Sequence, residues 1–223
     1  MIGIIAEAAQ ALGMAPAGLI TADLLLRLGW VDPEQWASAL SPAAARHGIT
    51  TPARLAMALA NFAHETDGGR RLDENLNYSP EALLAQWPKH FTAETAAALG
   101  RTPGHPADQR GIACAAYDGR MGNCSPGDGW TFRGAGLLQA TGRDWFGKLA
   151  MVTKRPIADL PAWLLTRDGA AESGCALWEW MGCNKLADAG DVVRCRLVVN
   201  GGAIGLDDVK ARWVAAKTAL GVV

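Results

Sequence analysis

The chain has 223 residues, of which 50% are hydrophobic and 19% are charged. That composition is typical of a folded globular protein and excludes an intrinsically disordered one. The net charge of −1 excludes an overall basic field of the kind that draws a protein to nucleic acid or to an anionic membrane. A chain of this length can bury a sizeable core as one domain.

The N-terminal residues 1–28 are apolar enough to raise the question of export or membrane insertion. They carry Glu7 and Asp23, have no basic leader, and are interrupted at Gly13 and Pro16. An export signal needs a positively charged start, and a membrane helix needs about 20 consecutive apolar residues. We therefore expect neither, and we expect the protein to fold in a cytoplasm.

Helix start and stop signals follow one another along the rest of the chain. Thr51 followed by Pro52 is typical of an N-cap with proline in the first turn, and Gly68 and Gly69 supply the stop. Asp32 is expected to cap the start of an earlier helix, over residues 32–46, in the same way. Such signals predict helices over residues 32–46, 51–67, 79–87, 92–100, 106–117, 168–181, 191–199 and 206–220.

The segments between these helices are expected to be loops. Residues 121–141 are rich in glycine and irregular, with at most a short extended piece near 131–132 or 137–139. Long loops of this kind usually carry function. The pattern predicts one mainly α-helical domain with a loop-lined cleft, spanning residues 1–223. Residues 1–47 are its N-terminal helical portion, or else a small subdomain, and residues 48–220 are its core.

Two glutamates bracket the most informative stretch of the sequence. Glu65 lies near the end of a predicted helix, at the edge of an apolar stripe that includes Phe62. Apolar packing disfavours the charged form of a carboxyl group, which suits a general acid. Glu74 lies among polar residues such as Asn75, a setting that favours a carboxylate. Cleavage of a glycosidic bond needs two carboxyl groups in unlike surroundings of this kind.

The glycine-rich loop adds candidate residues for binding a sugar. Trp130 and Phe132 have rings that can stack on sugar faces, although Trp130 is as readily interpreted as part of the core. Gln139 and Thr141 alternate, so in an extended segment their side chains point the same way. One of them is then placed to orient substrate and the other to hold a water molecule.

Several motifs in this order resemble those of bacteriophage endolysins of glycoside hydrolase family 19, the chitinase-like lysozymes. The likeness covers roughly residues 48–220. It is carried by the motifs His64-Glu65-Thr66-x-Gly-Gly, Leu72-x-Glu74-Asn75-x-Asn77-Tyr78-Ser79, Arg120-Met121-Gly122-Asn123, Pro126-Gly127-Asp128-Gly129-Trp130, Arg133-Gly134-x-Gly136-x-x-Gln139-x-Thr141-Gly142 and Asn200-Gly201-Gly202.

The resemblance implies a role for each matched residue. Glu65 is the general acid, Glu74 is the base or the stabiliser of positive charge, and Thr141 helps to position the attacking water. The residues that contact the sugar are His64, Asn77, Tyr78, Trp130, Arg133, Gln139 and Asn200, with His64 also placed to orient the acid.

The resemblance also implies a fold, a reaction and a setting. The fold is a lysozyme-like or chitinase-like helical domain. The enzyme inverts the anomeric centre by single displacement, so its two carboxyl groups lie about 6.5–9.5 Å apart with a water between them. The substrate is the glycan strand of peptidoglycan, cut between N-acetylmuramic acid and N-acetylglucosamine, and the outcome is lysis of the host cell. A monomer is expected, stored in the bacterial cytoplasm until a holin opens the way to the cell wall.

The chain departs from the family pattern at two places. Relatives usually have Asn then Tyr where this chain has Trp145 and Phe146, so an amide near the substrate is replaced by an indole. Relatives often carry Arg at the position of Ala135, which removes one cationic contact to the polymer. Both changes bear on which sugars the subsites prefer, and neither alters the proposed acid.

Other functions are separated from this one by specific residues. A chitinase uses the same chemistry on a polymer of N-acetylglucosamine, and the sequence does not distinguish the two. A non-catalytic glycan-binding module would have lost a carboxylate or Thr141. A peptidoglycan amidase or peptidase needs zinc ligands or a Cys/His pair. The histidines show no ligand spacing, and the five cysteines show no CxxC, so no metal or other cofactor is expected. Buried thiols are expected, although Cys114 and Cys124 are spaced to pair in an oxidising compartment.

Overall fold

The computed structural model describes residues 18–222, and that part of the chain is mainly helical. The mainly α fold class is therefore confirmed. Extended structure in these residues is limited to isolated β-bridges, two of which join Ala135 to Asp73 and to Ala140. The helices of the described residues are α1 (Ala22–Arg27), α2 (Pro33–Arg46), α3 (Pro52–Thr66), α4 (Pro80–Gln86), α5 (Ala93–Leu99), α6 (Gln109–Tyr117), α7 (Asp128–Thr131), α8 (Arg143–Thr153), a 3-10 turn (Ile157–Asp159), α9 (Leu160–Trp163), α10 (Arg167–Trp180), α11 (Cys183–Asp188), α12 (Val192–Asn200) and α13 (Leu206–Ala219).

The chain divides into two compact units, each built from more than one segment. Among the described residues, unit 1 comprises 18–72, Gly136–Leu138 and 163–222. Unit 2 comprises Asp73–Ala135 and Gln139–Ala162. Each unit is therefore completed by parts of the chain that are distant in sequence.

Helix α3 is the centre of unit 1. Most of its residues are buried, which explains its nearly continuous apolar sequence, and it packs against α11 and α13. Phe62 meets Trp178 of α10 edge to face, with the ring centroids 5.8 Å apart. Fully burying a side chain of this size contributes about 1.5–3 kcal/mol.

The predicted N-cap of α3 and the predicted glycine stop after it are confirmed. Thr51 accepts a hydrogen bond from the backbone N–H of Arg54, which satisfies a donor that the first helical turn leaves unpaired. Asp67 ends the helix in the left-handed conformation at φ 53°, and Gly68 follows at φ 65°. Glu65 thus lies in the last turn of a helix whose position is set by the core.

The predicted cap of α2 is wrong in one respect. The helix begins at Pro33 as expected, but Asp32 has φ 44° and its side chain accepts no bond from the helix. Its carboxylate instead pairs with Arg167, just inside α10. A partner that is distant in sequence has taken the side chain that local rules assign to the cap.

Unit 2 has its own smaller core. Leu76, Leu83, Phe91 and Ile112 are buried in it, contributed by α4, α6 and the segments beside them. Ser79 caps α4 and Thr92 caps α5, both as predicted. Helix α6 begins later than predicted, because the Asp108 side chain caps it at that point.

Helix α8 is an element that the sequence signals missed. Its N-cap is Gly142, which has φ 90° and no side chain to offer, so the usual start signal is absent. Helices α1 and α11 are short and were likewise not predicted, and the four-residue α7 lies inside the segment expected to be irregular.

The prediction about export or membrane insertion concerns residues that are mostly outside the described part, since description begins at Gly18. Among residues 18–222, no helix is long and apolar enough to cross a membrane. All five cysteines fall in this range and are free thiols, Cys114 and Cys124 included.

Candidate active site

Glu65 is held by a buried cation. Its carboxylate pairs with the guanidinium of Arg196, a residue of α12 that is 1% exposed, whereas the Glu65 side chain is 16% exposed. Arg196 also donates from Nε to the backbone oxygen of Ile204 at 2.8 Å. Glu65 was expected at the edge of an apolar stripe, and α12 brings a charged partner to that edge of α3, which the sequence did not predict.

His64 is held by a residue of α13, Asp208. Its Nδ1 lies 2.7 Å from Oδ2 of Asp208, which also accepts from Nε of Arg212 at 2.7 Å. Partial burial raises the pKa of Asp208, but the hydrogen bonds from Arg212 and His64 outweigh burial, and the pKa lies below its ordinary value. Asp208 is therefore a carboxylate at neutral pH and fixes the imidazole beside the candidate acid.

Gly205 explains how the imidazole of His64 fits. A Cβ at this position would lie 2.2 Å from Nε2 of His64, so a larger residue would displace the ring. Gly205 also has φ 75°, a conformation that favours glycine. Asn200 ends α12 within the same unit, is exposed, and donates from Nδ2 to the oxygen of Gly202 at 3.4 Å.

Glu74 belongs to unit 2 and is held by neutral donors. The hydroxyl of Tyr117 donates to Oε1 at 2.5 Å, and the backbone N–H of Gly134 donates to Oε2 at 3.2 Å. The backbone N–H of Glu74 in turn donates to the oxygen of Gly134 at 2.9 Å. Both carboxylate oxygens therefore have a partner, and the polar setting predicted for Glu74 is observed.

Gln139 and Thr141 meet Glu74 around Gly134. A Cβ at Gly134 would lie 3.1 Å from Oε1 of Gln139, 3.2 Å from Cβ of Glu74 and 3.2 Å from Oγ1 of Thr141. The absence of a side chain at Gly134 thus leaves room for three candidate site residues to converge. The Thr141 hydroxyl donates to the backbone oxygen of Gln139 at 2.9 Å.

The route by which Gln139 and Thr141 come together differs from the expectation. Gln139 has φ 48°, in the left-handed region, so the segment is a turn at this point and not an extended strand. Ala140 closes the turn by exchanging backbone hydrogen bonds with Ala135. The proximity was predicted, but a turn produces it.

Tyr78 and Asn77 lie on the segment that follows Glu74. Tyr78 is half-buried and meets Trp87 edge to face, with centroids 5.2 Å apart. Burial and the charge of Glu74 raise the pKa of the Tyr78 hydroxyl. Asn77 is exposed, and its backbone N–H bonds to the side chain of Asn75 at 3.0 Å.

Trp130 and Arg133 are stacked on one another. The Arg133 guanidinium lies 3.9 Å from the ring centroid of Trp130, and its Nη1 donates to the Trp130 backbone oxygen at 3.0 Å. Trp130 also packs against the core of unit 2. One face of the indole is therefore covered by a cation. Phe132 is 3% exposed and packs on Phe146, so the idea that it stacks on sugars is wrong.

A charged pair holds the glycine-rich loop. Asp128 accepts from Nε and Nη2 of Arg143 at 3.0 and 2.8 Å, and from the backbone N–H groups of Cys124 and Ser125. The hydrogen bonds from Arg143, with those from the backbone, lower the pKa of Asp128 to about 2. Asp118 adds bonds from the N–H of Gly127 and Gly129. The Pro-Gly-Asp-Gly-Trp motif is thus a structural support for the loop.

The two departures from the family pattern have different surroundings. Phe146 is fully buried against Phe132, so the tyrosine-to-phenylalanine difference falls in the core. Trp145 is partly exposed, with the ammonium of Lys148 4.2 Å from its ring centroid. Ala135 is 5% exposed, and its backbone forms bridges to neighbouring segments.

Sequence reasoning missed two residues that hold the candidate carboxylates. Arg196 is a cation inside the apolar run Val-Val-Arg-Cys-Arg-Leu-Val-Val, and a charge in such a run is a signal for a buried partner. Tyr117 ends an Ala-rich helix, where a large polar aromatic points to a specific hydrogen bond. Neither signal identifies the residue with which Arg196 or Tyr117 pairs.

Glycoside hydrolases use a pair of carboxyl groups, and in this chain Glu65 and Glu74 are each held by their own partners. A search with protein-family models found no match. A protein of Haemophilus influenzae described as a glycosyl hydrolase family 19 domain-containing protein is 34% identical over 175 residues, which cover 76% of this chain and 82% of the relative. The chain therefore belongs to glycosyl hydrolase family 19.

Proposed function

We propose that this glycoside hydrolase cuts the β-1,4 bond between N-acetylmuramic acid and N-acetylglucosamine in peptidoglycan. The observation that carries the proposal is the convergence of Glu74, Gln139 and Thr141 around Gly134. It brings the side chain of Glu74 to the same place as the Thr141 hydroxyl and the Gln139 amide. A carboxylate, a hydroxyl and an amide form a set that can hold and activate a water molecule. Glu65, in unit 1, supplies the second carboxyl group.

The proposed mechanism is a single displacement with inversion. Glu65 donates a proton to the leaving glycosidic oxygen, and Glu74 takes a proton from the water that attacks the anomeric carbon. Thr141 and Gln139 orient that water. The guanidinium of Arg196 holds the Glu65 carboxyl group in place for this transfer.

Product analysis tests the substrate and the bond. Purified peptidoglycan is incubated with the protein, and the new reducing ends are identified after reduction with borohydride. Muramic acid at the new end supports the proposal, whereas glucosamine indicates a glucosaminidase and the absence of a new end indicates a different chemistry. Faster release of ends from chitin than from peptidoglycan would favour the chitinase alternative. The anomer formed first, read by proton NMR, tests inversion.

The biological role proposed is that of an endolysin that lyses a bacterial host. It rests on the likeness of the motifs to phage members of the family. The protein would act as a monomer, stay in the host cytoplasm, and reach the wall only once a holin has permeabilised the membrane. Expression with and without a holin, followed by fractionation, tests this. Lysis or periplasmic protein without the holin would contradict it.

A further inference from the structure

The bond from Tyr117 to Glu74 is the shortest polar contact that the structure gives this carboxylate. The hydroxyl lies 2.5 Å from Oε1, against 3.2 Å for the Gly134 N–H to Oε2. Hydrogen bonds to a charged acceptor are shorter and about twice as strong as neutral ones. Tyr117 is thus the principal side-chain partner of the group that the proposed function makes the base.

The Tyr117 ring is locked by its neighbours. It meets Trp87 edge to face with the centroids 6.0 Å apart and the planes at 90°, and Trp87 packs in turn on Tyr78 and Phe91. Tyr117 is also the last residue of α6, and its backbone oxygen accepts from Nδ2 of Asn123 at 3.0 Å. A ring that packs on Trp87 and is held at its backbone points its hydroxyl in one direction.

The surroundings of Tyr117 keep its hydroxyl protonated, as a donor to Glu74 requires. Burial and the neighbouring carboxylate raise the pKa of the Tyr117 hydroxyl, so it keeps its proton and remains a donor. The charged and titratable groups that act on this pair are Tyr78 and Arg120, and the ion pair of Asp73 with Arg133 lies next to it along the chain. Asp73 lies 3.5 Å from its partner Arg133, and Arg120 donates to the backbone oxygen of Ala115.

We infer that Tyr117 is a positioning residue, which holds the Glu74 carboxylate in one orientation for its reaction with water. This rests on the proposed function, because it makes Glu74 the base of the reaction. A base that is free to turn away from the water spends less time in the reactive geometry. Removing the Tyr117 hydroxyl should therefore lower kcat and leave KM nearly unchanged.

The test compares the wild type with Tyr117→Phe, which keeps the ring that packs on Trp87 and removes only the hydroxyl. Carbon NMR of protein labelled at the glutamate carboxyl follows the chemical shift of the Glu74 carboxyl carbon at pH 7, a signal assigned by its loss in Glu74→Gln. We expect this signal to move in Tyr117→Phe, because the hydroxyl that bonds to Oε1 is gone. We expect kcat to be about tenfold lower, with KM nearly unchanged and the thermal midpoint within a few degrees.

Cys114→Ala is the matched control, since it trims a partly buried residue of the same helix without touching Glu74. It should leave both the Glu74 signal and kcat unchanged. An unchanged Glu74 signal in Tyr117→Phe would overturn the inference, whether or not the protein is active. A moved signal with an unchanged kcat would overturn it as well, because Tyr117 would then not act on the reaction. A wild type without glycosidase activity would instead count against the proposed function, since the NMR arm needs no substrate.

Discussion

The two candidate carboxylates are held in opposite ways. In unit 1, Glu65 pairs with Arg196, a guanidinium that is almost fully buried, so a charge meets a charge. In unit 2, Glu74 accepts from a hydroxyl and a backbone N–H, both neutral. Breaking a buried ion pair leaves an uncompensated charge, whereas losing a neutral donor costs one hydrogen bond. The same residue type is thus held by a buried charge in one unit and by neutral donors in the other.

The largest effect is expected at Glu65, the carboxylate that is held by a charged partner. Glu65→Gln keeps an oxygen that accepts from Arg196 but has no acidic proton to give, so the rate of peptidoglycan cleavage should fall by about 10²–10⁴-fold. Release of reducing ends measures it. Glu172→Gln is the matched control, since it neutralises another arginine-paired glutamate of unit 1 and should leave the rate unchanged. A Glu65→Gln rate above about a tenth of wild type would rule out Glu65 as the acid.

Glu74→Gln should lower the rate by about a hundredfold, because an amide cannot take the proton from water. The same assay measures the loss. Asp73→Asn, at the neighbouring position, is the control, since Asp73 is exposed and lies 3.5 Å from its partner Arg133. An inactive Asp73→Asn beside an active Glu74→Gln would show that the neighbouring carboxylate is the base.

The ion pair of Asp128 with Arg143 in unit 2 supports the glycine-rich loop and not the Glu74 carboxylate. Its removal should lower the stability of the fold. The folded pKa of Asp128 is about 2, below the ordinary value of 3.8. Its contribution is therefore complete above about pH 4 and is lost as the pH falls through about 2. Asp128→Asn should lower the free energy of unfolding by about 2 kcal/mol at pH 7.

Urea denaturation at a series of pH values checks this. The difference between Asp128→Asn and wild type should shrink toward zero near pH 2, and a difference that is the same at all pH values would contradict the ion-pair explanation. Asp207→Asn, at an exposed acid of α13, should be near neutral throughout.

The smallest effect is expected at Thr141. Its hydroxyl is one of several polar groups near Gly134, so Thr141→Ala should reduce kcat by about tenfold, the cost of one neutral hydrogen bond. Thr131→Ala removes an exposed hydroxyl that bonds only within its own helical turn, and it should change kcat by less than about twofold. Equal rates for the two variants would mean that Thr141 does not hold the water.

Local rules accounted for much of the helical architecture. Thr51, Ser79 and Thr92 cap the helices that they were expected to cap, because a cap needs only a side chain and the N–H groups two or three residues further on. The same rules failed at Asp32, where Arg167 competes for the carboxylate, and at α8, whose glycine N-cap carries no signal.

The candidate site divides in the same way. Residues that are close along the chain are enough to predict the mainly helical fold, the two glutamates with their unlike neighbours, and the nearness of Gln139 to Thr141. The folded structure was needed to show that Arg196 pairs with Glu65, that Tyr117 holds Glu74, and that Gly134 leaves room for the residues around it. Those partners lie far from one another along the chain, and the packing of whole helices brings them together.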